Sequence, residues 1–270
     1  MCTIIVLHRA HQAFPLIVAA NRDEFLARPA SGPLLLCDEP RVIGGRDLKS
    51  GGTWLGACET GLFVGLTNQR TYAPADPSLR SRGQIVLEAL RRGTLEAARA
   101  YLADLDARSF NSFNLIFGDA SELWLGYGRS DSARLSFEQP RGPVCVLAND
   151  RLGSAEFPKT ERAAQLVRGC AELDWPELAL RLKAVLGDHE LPPEAAVPEP
   201  AAGSSWPRAL LQQLQALCIH TPSYGTRSAT IAALEPGRVA HYLFAAGPPC
   251  TTAFEDVTFL LGANMPLARR

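Results

Sequence analysis

Cys2 is the expected chemical centre of the chain, directly after the initiating methionine in MCTIIVLHRA. A thiolate is a strong nucleophile, and a thiol with an ordinary pKa of about 8.5 is already slightly ionised at neutral pH. Removal of Met1 gives the same residue a free α-amine, a group that titrates near about 7.7–8.0. That amine can take the thiol proton and later hand one to a leaving amine, so that nucleophile and base share one residue. Retention of Met1 forecloses that mechanism. Position alone leaves a second reading open, an ordinary buried thiol.

Other side chains that can do chemistry stand near the ends of apolar runs. Asn21, Arg22, Asp23 and Glu24 are expected to follow a strand over 16–20, and a hairpin would bring that strand's end beside the N-terminus. Asp23 can then accept from the α-ammonium or orient the cysteine. Arg22 can lower the thiolate pKa or bind a substrate carboxylate. The alternative is a polar turn with an Arg–acid pair. Asn68 closes GLFVGLTN and Asn149 closes VCVLAN. Each amide can donate to a developing oxyanion, or form an Asx turn or helix cap. Arg227, in YGTRSAT, can bind an anion, hold Asp23 or serve structure alone. The five histidines form no triad by spacing. His8, His11 and His220 keep a Cys–His pair open, His189 falls in a Pro-rich stretch, and His241 reads as structural.

These residues need elements to position them. Residues 3–7 and 16–20 read as paired strands, and Pro29 ends any regular element after them. The two Gly pairs in 44–56 predict a loop with unusual backbone geometry or a close approach. The following segment predicts a hairpin turning near 59–61. Helical spacing covers 81–91, and Thr94 caps a second helix over 95–105. Two strands turning near 119–121 come next, then strand character at 135–138 and 144–147. Residues 157–167 and 177–186 predict helices, 187–207 a Pro- and Ala-rich loop or lid, and 206–218 a further helix. Strands are expected at 226–234, 240–244 and 257–260. Adjacent hairpins favour antiparallel sheets with helices packed on them, an α+β class. No G-x-G-x-x-G follows the first strand, which speaks against a dinucleotide fold.

Bulk properties narrow the function classes. The chain has 270 residues, 47% hydrophobic and 20% charged, with formal net charge -1. That is ordinary globular composition and offers no general argument for nucleic acid as a partner. Seven widely spaced cysteines, with no C-x-x-C and no Cys/His cluster at zinc spacing, predict reduced thiols, most of them small buried hydrophobes. No metal or cofactor is expected. The absence of a signal peptide and of a long apolar run predicts a cytoplasmic protein without a membrane span.

Several motifs in order carry a resemblance: MCTI, NRDE at 21–24, RP at 28–29, GGRD and GGTWLG within 44–56, LTNQR at 66–70, SRG at 81–83, NSFNLI at 111–116, LAND at 147–150 and YGTRSAT at 224–230. With these the chain resembles the NRDE family, which includes the transport and Golgi organisation protein 2 homologues. The resemblance runs from residue 1 to about 262 and is weakest at 187–207. It implies a single domain with the N-terminal nucleophile hydrolase fold, a four-layer αββα sandwich, similar to the group of conjugated bile salt hydrolases and penicillin V acylase. In that group the exposed cysteine attacks a linear amide. The resemblance therefore assigns Cys2 as nucleophile, Asp23 as the residue that orients its amine, Asn68 and Asn149 as oxyanion and amine partners, and Arg227 as the late arginine of the site. The group separates its Arg and Asp by three residues, whereas Arg22 and Asp23 are adjacent here. The implied function is hydrolysis of a non-peptide C–N bond in a small-molecule substrate, which Arg22 and Arg227 point towards being anionic. The alternative is a non-catalytic binding or trafficking protein for haem, held non-covalently, or for a lipid-like ligand.

Overall fold

Apolar alternation separates the layers in the computed structural model, which describes residues 2–71, 74–200 and 206–262. The strands are β1 (Thr3–His8), β2 (Leu16–Phe25), β3 (Ala30–Asp38), β4 (Arg41–Asp47), β5 (Leu55–Cys58) and β6 (Phe63–Asn68). Helices α1 (Arg82–Leu90) and α2 (Leu95–Asp104) precede β7 (Phe113–Gly118), β8 (Leu123–Gly128), β9 (Ser136–Glu138) and β10 (Val144–Leu147). Helices α3 (Lys159–Leu166), α4 (Trp175–Leu186) and α5 (Arg208–Gln213) lead into β11 (Tyr224–Glu235), β12 (Arg238–Ala245) and β13 (Glu255–Asp256). Two sheets result, ordered β10-β1-β2-β11-β12-β13 and β3-β4-β5-β6-β7-β8-β9, and their pairings are antiparallel.

Successive residues of a strand face opposite sides of its sheet. Ile4, Val6, Leu16 and Val18 enter the core between the sheets, against Ile43, Leu55, Phe63 and Ile116. Their neighbours Ile5, Leu7, Ile17 and Ala19 pack outward on Ala163 of α3 and on Leu178, Leu182 and Val185 of α4. On the far side, Val64, Leu66, Leu115 and Phe117 meet Ile85, Val86 and Ala89 of α1 and Ala98 and Leu102 of α2. The result is the expected αββα order of layers. Each fully buried Leu or Ile in these cores contributes about 1.5–3 kcal/mol. No helix among the described residues is long and apolar enough to cross a membrane.

Local chemistry explains the elements. Thr94 caps α2 by accepting from Ala97 N at 3.2 Å. Asp174 caps α4 through Glu177 N at 3.1 Å, with Pro176 in its first turn. This start lies two residues earlier than the spacing predicts, because capping and proline fix it.

Four expectations fail in instructive ways. Residues 21–24 do not follow a strand; they continue β2, since β11 extends the ladder with Ser228, Thr226, Gly225 and Tyr224 opposite Arg22, Asp23, Glu24 and Phe25. The expected loop over 44–56 is half strand. Gly44 and Gly45 belong to β4, where a Cβ on Gly44 would stand 2.7 Å from the Leu55 carbonyl oxygen and one on Gly45 would collide with the Trp54 ring. Gly51 and Gly52 do have left-handed backbones, with φ of 68° and 75°. The helix expected over 206–218 spans only Arg208–Gln213, and Cys218 N donates to Asp188 O at 2.9 Å in place of a helical partner. The strand expected at 257–260 is a 3-10 turn, Thr258–Leu261, begun by Asp256 Oδ1 accepting from Thr258 N at 2.9 Å. Residues 201–205 of the Pro-rich stretch lie outside the described residues.

Candidate active site

The β1–β2 register pairs Thr3 with Asn21, which sets Cys2 beside Arg22 at the strand ends. Both face the space between the sheets and line a cavity of about 10 Å³ together with Trp54, Ser228 and Thr230. The Arg22 guanidinium lies over the Trp54 ring, 4.3 Å from its centroid. Burial raises the Cys2 thiol above its ordinary pKa, and the positive charge of Arg22 works the other way. Burial likewise lowers Arg22, which the negative partners Cys2, Glu24 and Asp47 offset.

Alternation turns the next residues to the helix side. Asn21 Nδ2 donates to the carbonyls of Leu186 at 2.8 Å and Leu217 at 2.9 Å, tying β2 to the end of α4 and to the segment before β11. Asp23 accepts from Thr226 Oγ1 at 2.6 Å and lies 3.8 Å from Lys159 Nζ, with neither charged side chain exposed. Tyr224 Oη donates to the Asp23 carbonyl at 2.7 Å. Burial raises the Asp23 carboxyl, and Lys159 opposes that shift.

Asn68 and Asn149 meet at the rim. Asn149 Nδ2 donates to Asn68 O at 2.7 Å, and Arg70 N donates to Asn149 O at 2.8 Å. Thr67 Oγ1 donates to Ala148 O at 2.5 Å, which locks β6 to the end of β10. The Asn68 side chain is exposed and has no hydrogen bond among the described residues. Asn149 Oδ1 is buried with no partner among them. Cys2, Arg22, Asp23, Asn68 and Asn149 all line one cleft of about 1390 Å³.

Arg227 stands apart. It occupies a β-bulge between Thr226 and Ser228, and its Nη1 donates to the Leu26 carbonyl at 2.7 Å. It is not among the residues lining the cleft. His8 and His11 are bound to the carbonyls of Asp119 and Leu173, and the cleft lining holds no histidine.

Two residues of the cleft region carry charge that motif reasoning left without a role. Lys159, in the first turn of α3, is 1% exposed. Burial lowers its pKa, with Asp23 and then Cys2 as the opposing negative partners. Its signal is its place at helical spacing with Ala163 and Val167, a cation on an apolar stripe. Arg82 begins α1, donates from Nη1 to Ser112 O at 3.1 Å and lines the cleft. Burial lowers it too.

Comparisons with known proteins bear on the family and on the fold. The family model described as Transport and Golgi organisation 2 matches residues 1–243. The Transport and Golgi organization protein 2 homolog of Bos taurus is 31% identical over 240 residues, covering 81% of this chain and 82% of the relative. The Homo sapiens homolog is 28% identical over 243 residues with the same shares. Among solved structures, a mutant conjugated bile acid hydrolase from Clostridium perfringens aligns with TM-score 0.53 at 11% identity, covering 95% of this chain and 96% of that one. Penicillin V acylase from Agrobacterium tumefaciens aligns with TM-score 0.53 at 14% identity, covering 95% and 86%. A Caenorhabditis elegans N-acylethanolamine-hydrolyzing acid amidase ortholog gives 0.54 at 12%, covering 86% and 92%. At such identities these likenesses speak for the fold, which is that of the N-terminal nucleophile hydrolases. The family is shown instead by the matched residues 1–243 and the bovine relative: the chain belongs to the Transport and Golgi organisation 2 family.

Proposed function

We propose that this protein is a cysteine N-terminal nucleophile hydrolase that cleaves a linear, non-peptide amide in an anionic small molecule. The observation that carries the reading is the meeting of Cys2, Arg22, Asp23, Asn68 and Asn149 around one cleft. After loss of Met1, the Cys2 amine takes the thiol proton while sulfur bonds to the amide carbonyl carbon. The same amine delivers that proton to the leaving nitrogen as the C–N bond breaks. Water then attacks the thioester, its proton passes through the amine to sulfur, and a carboxylic acid departs. The free amide of Asn68 is the leading side-chain donor for the oxyanion. The unpartnered Asn149 Oδ1 is an acceptor for the Cys2 ammonium or a substrate N–H. Asp23 positions the amine from the helix side of β2. Arg227, bound to the Leu26 carbonyl, supports the β2–β11 edge in this reading and contacts substrate only after leaving that bond.

The anionic preference rests on the cleft's side chains. Arg28 is neutralised by Asp47 and Glu24, and Arg70 pairs with Glu156. Arg22, Arg80, Arg82 and Lys49 also line the cleft, with no carboxylate salt-bridged to them among the described residues.

Intact mass of the purified native protein tests processing, and the expected mass lacks Met1. The processed protein is then given a panel of N-acyl amides with carboxylate or sulfonate head groups. Release of the amine, a trapped acyl adduct on Cys2, and loss of both in Cys2→Ala are expected. Retained Met1 would refute the amine-as-base mechanism and leave non-catalytic ligand binding as the better account. A haem bound in this cleft would have Cys2 as its one soft axial donor among the lining residues, so a titration that shifts the haem spectrum in wild type and not in Cys2→Ala would favour that account.

A further inference from the structure

Sequence spacing offered no zinc-like cluster, and Cys250 was expected among the buried thiols. The fold corrects the second point and adds to the first. Cys250 is exposed, and one ligand atom each from His189, Cys218, His220 and Cys250 lies within 4.8 Å of the others. None of the four lines the Cys2 cleft. They come from the segment after α4, the segment after α5 and the turn after β12, so only tertiary structure brings them together.

We propose that these four side chains form a binding site for a zinc(II)-type cation, separate from Cys2. The Cys218 sulfur is 3.6 Å from the Cys250 sulfur and 3.6 Å from His220 Nε2. His220 Nε2 is 3.3 Å from the Cys250 sulfur. A tetrahedral centre with Zn–S of ~2.3 Å and Zn–N of ~2.0 Å has S···S edges of ~3.8 Å and S···N edges of ~3.5 Å. The three observed separations match those edges within a few tenths of an ångström, so the donors need little movement to close on an ion. Two sulfurs and two imidazoles are also the donor set of structural zinc sites.

The fourth ligand is prepared by its surroundings. His189 Nδ1 lies 3.0 Å from the Cys218 carbonyl oxygen, which can only accept. Nδ1 is therefore the donor of this bond, and in the neutral ring Nε2 is the nitrogen offered to an ion, the arrangement in which a backbone carbonyl orients a ligating histidine. The His189 and His220 ring centroids are 5.1 Å apart. The third segment packs against the end of α4, where a Cβ on Gly187 would stand in ordinary contact with Cys250 Cα at 3.5 Å. Cys218 is buried while His189, His220 and Cys250 are exposed, which leaves the ion a path from solvent. Binding converts both thiols to thiolates and releases their two protons to solvent.

The site would brace the segment behind Asp23. Leu217 O accepts from Asn21, and Ile219 N donates at 2.9 Å to Thr226 Oγ1, which bonds Asp23. An ion at Cys218 and His220 thus fixes the support of the Cys2 site without touching it.

The test uses the full chain in phosphine reductant, with all seven thiols titrated as free before loading. After zinc addition and gel filtration, elemental analysis is expected to find one zinc per chain. Loading should raise Tm by roughly 5 °C. Cobalt(II) in place of zinc should give intense visible bands and thiolate charge transfer in the near ultraviolet. Cys250→Ser and His220→Gln alter exposed side chains, so the fold should persist while affinity falls at least about tenfold; Cys2→Ala should bind as wild type. Absence of zinc from the reduced wild type, equal zinc in Cys250→Ser and His220→Gln, or a cobalt spectrum without thiolate charge transfer would overturn the proposal.

Discussion

Asp23 and Lys159 face each other with neither side chain exposed, and burial acts on both. It raises the carboxyl and lowers the ammonium, so each charge is tolerated chiefly because the other is present. Lys159→Met should cost about 3 kcal/mol or more, because a buried carboxylate loses the cation that most opposes its desolvation. Asp23→Asn should cost a similar amount. The double variant should be more stable than the sum of the singles implies, by at least about 1 kcal/mol. Urea unfolding of the four proteins measures this, and strict additivity would refute a coupled pair. The same pair marks where sequence reading stopped. Asp23 was legible because it sits in an ordered motif beside a strand. Lys159 was not, because one cation in an amphipathic helix looks like its solvated face until tertiary packing shows which face is inside.

At the scale of elements, the loop before β5 decides what stands over Arg22. Gly52 has φ of 75°, and a Cβ there would run into the backbone carbonyl of Gly83 in the first turn of α1. Thr53 N donates to Gly83 O at 3.1 Å, so this contact pins the loop that carries Trp54. Gly52→Ala should therefore cost both left-handed strain and a steric clash, about 3 kcal/mol together. Gly153 has φ of 78° but nothing within 4 Å of a Cβ, so Gly153→Ala should cost only the strain, about 1 kcal/mol. Equal losses of Tm in the two variants would show that the approach to α1 carries no weight. The unusual backbone was legible at Gly51 and Gly52, and the close approach at Gly44 and Gly45. That one pair belongs to a strand was not, since its cause is Trp54 and Leu55 arriving from the next strand. Residues 16–20 were legible by apolar content, but β2 runs on to Phe25 because β11, two hundred residues away, supplies the pairing.

For the whole molecule, a net charge of -1 hides an uneven distribution. Arg22, Arg28, Lys49, Arg70, Arg80 and Arg82 line the cleft against Asp23, Glu24, Asp47 and Asp76. A mouth with surplus cations between low-dielectric sheets concentrates anions that the near-neutral chain as a whole would not attract. On the proposed function, affinity for an amide with an anionic head group should therefore fall with salt. The Debye length shrinks from about 10 Å at 0.1 M to about 3 Å at 1 M. Over that range the Kd of a fluorescent anionic N-acyl amide should rise several-fold, measured on Cys2→Ala so that turnover does not intervene. Arg82→Gln should raise Kd at low salt and flatten the slope, because its guanidinium is held in place by the Ser112 carbonyl and leaves its remaining donors to the cleft. An analogue with an uncharged head group should bind with little salt dependence. If charged and uncharged analogues respond alike, the surplus cations serve the fold and the anionic substrate class is wrong, independently of the role of Cys2.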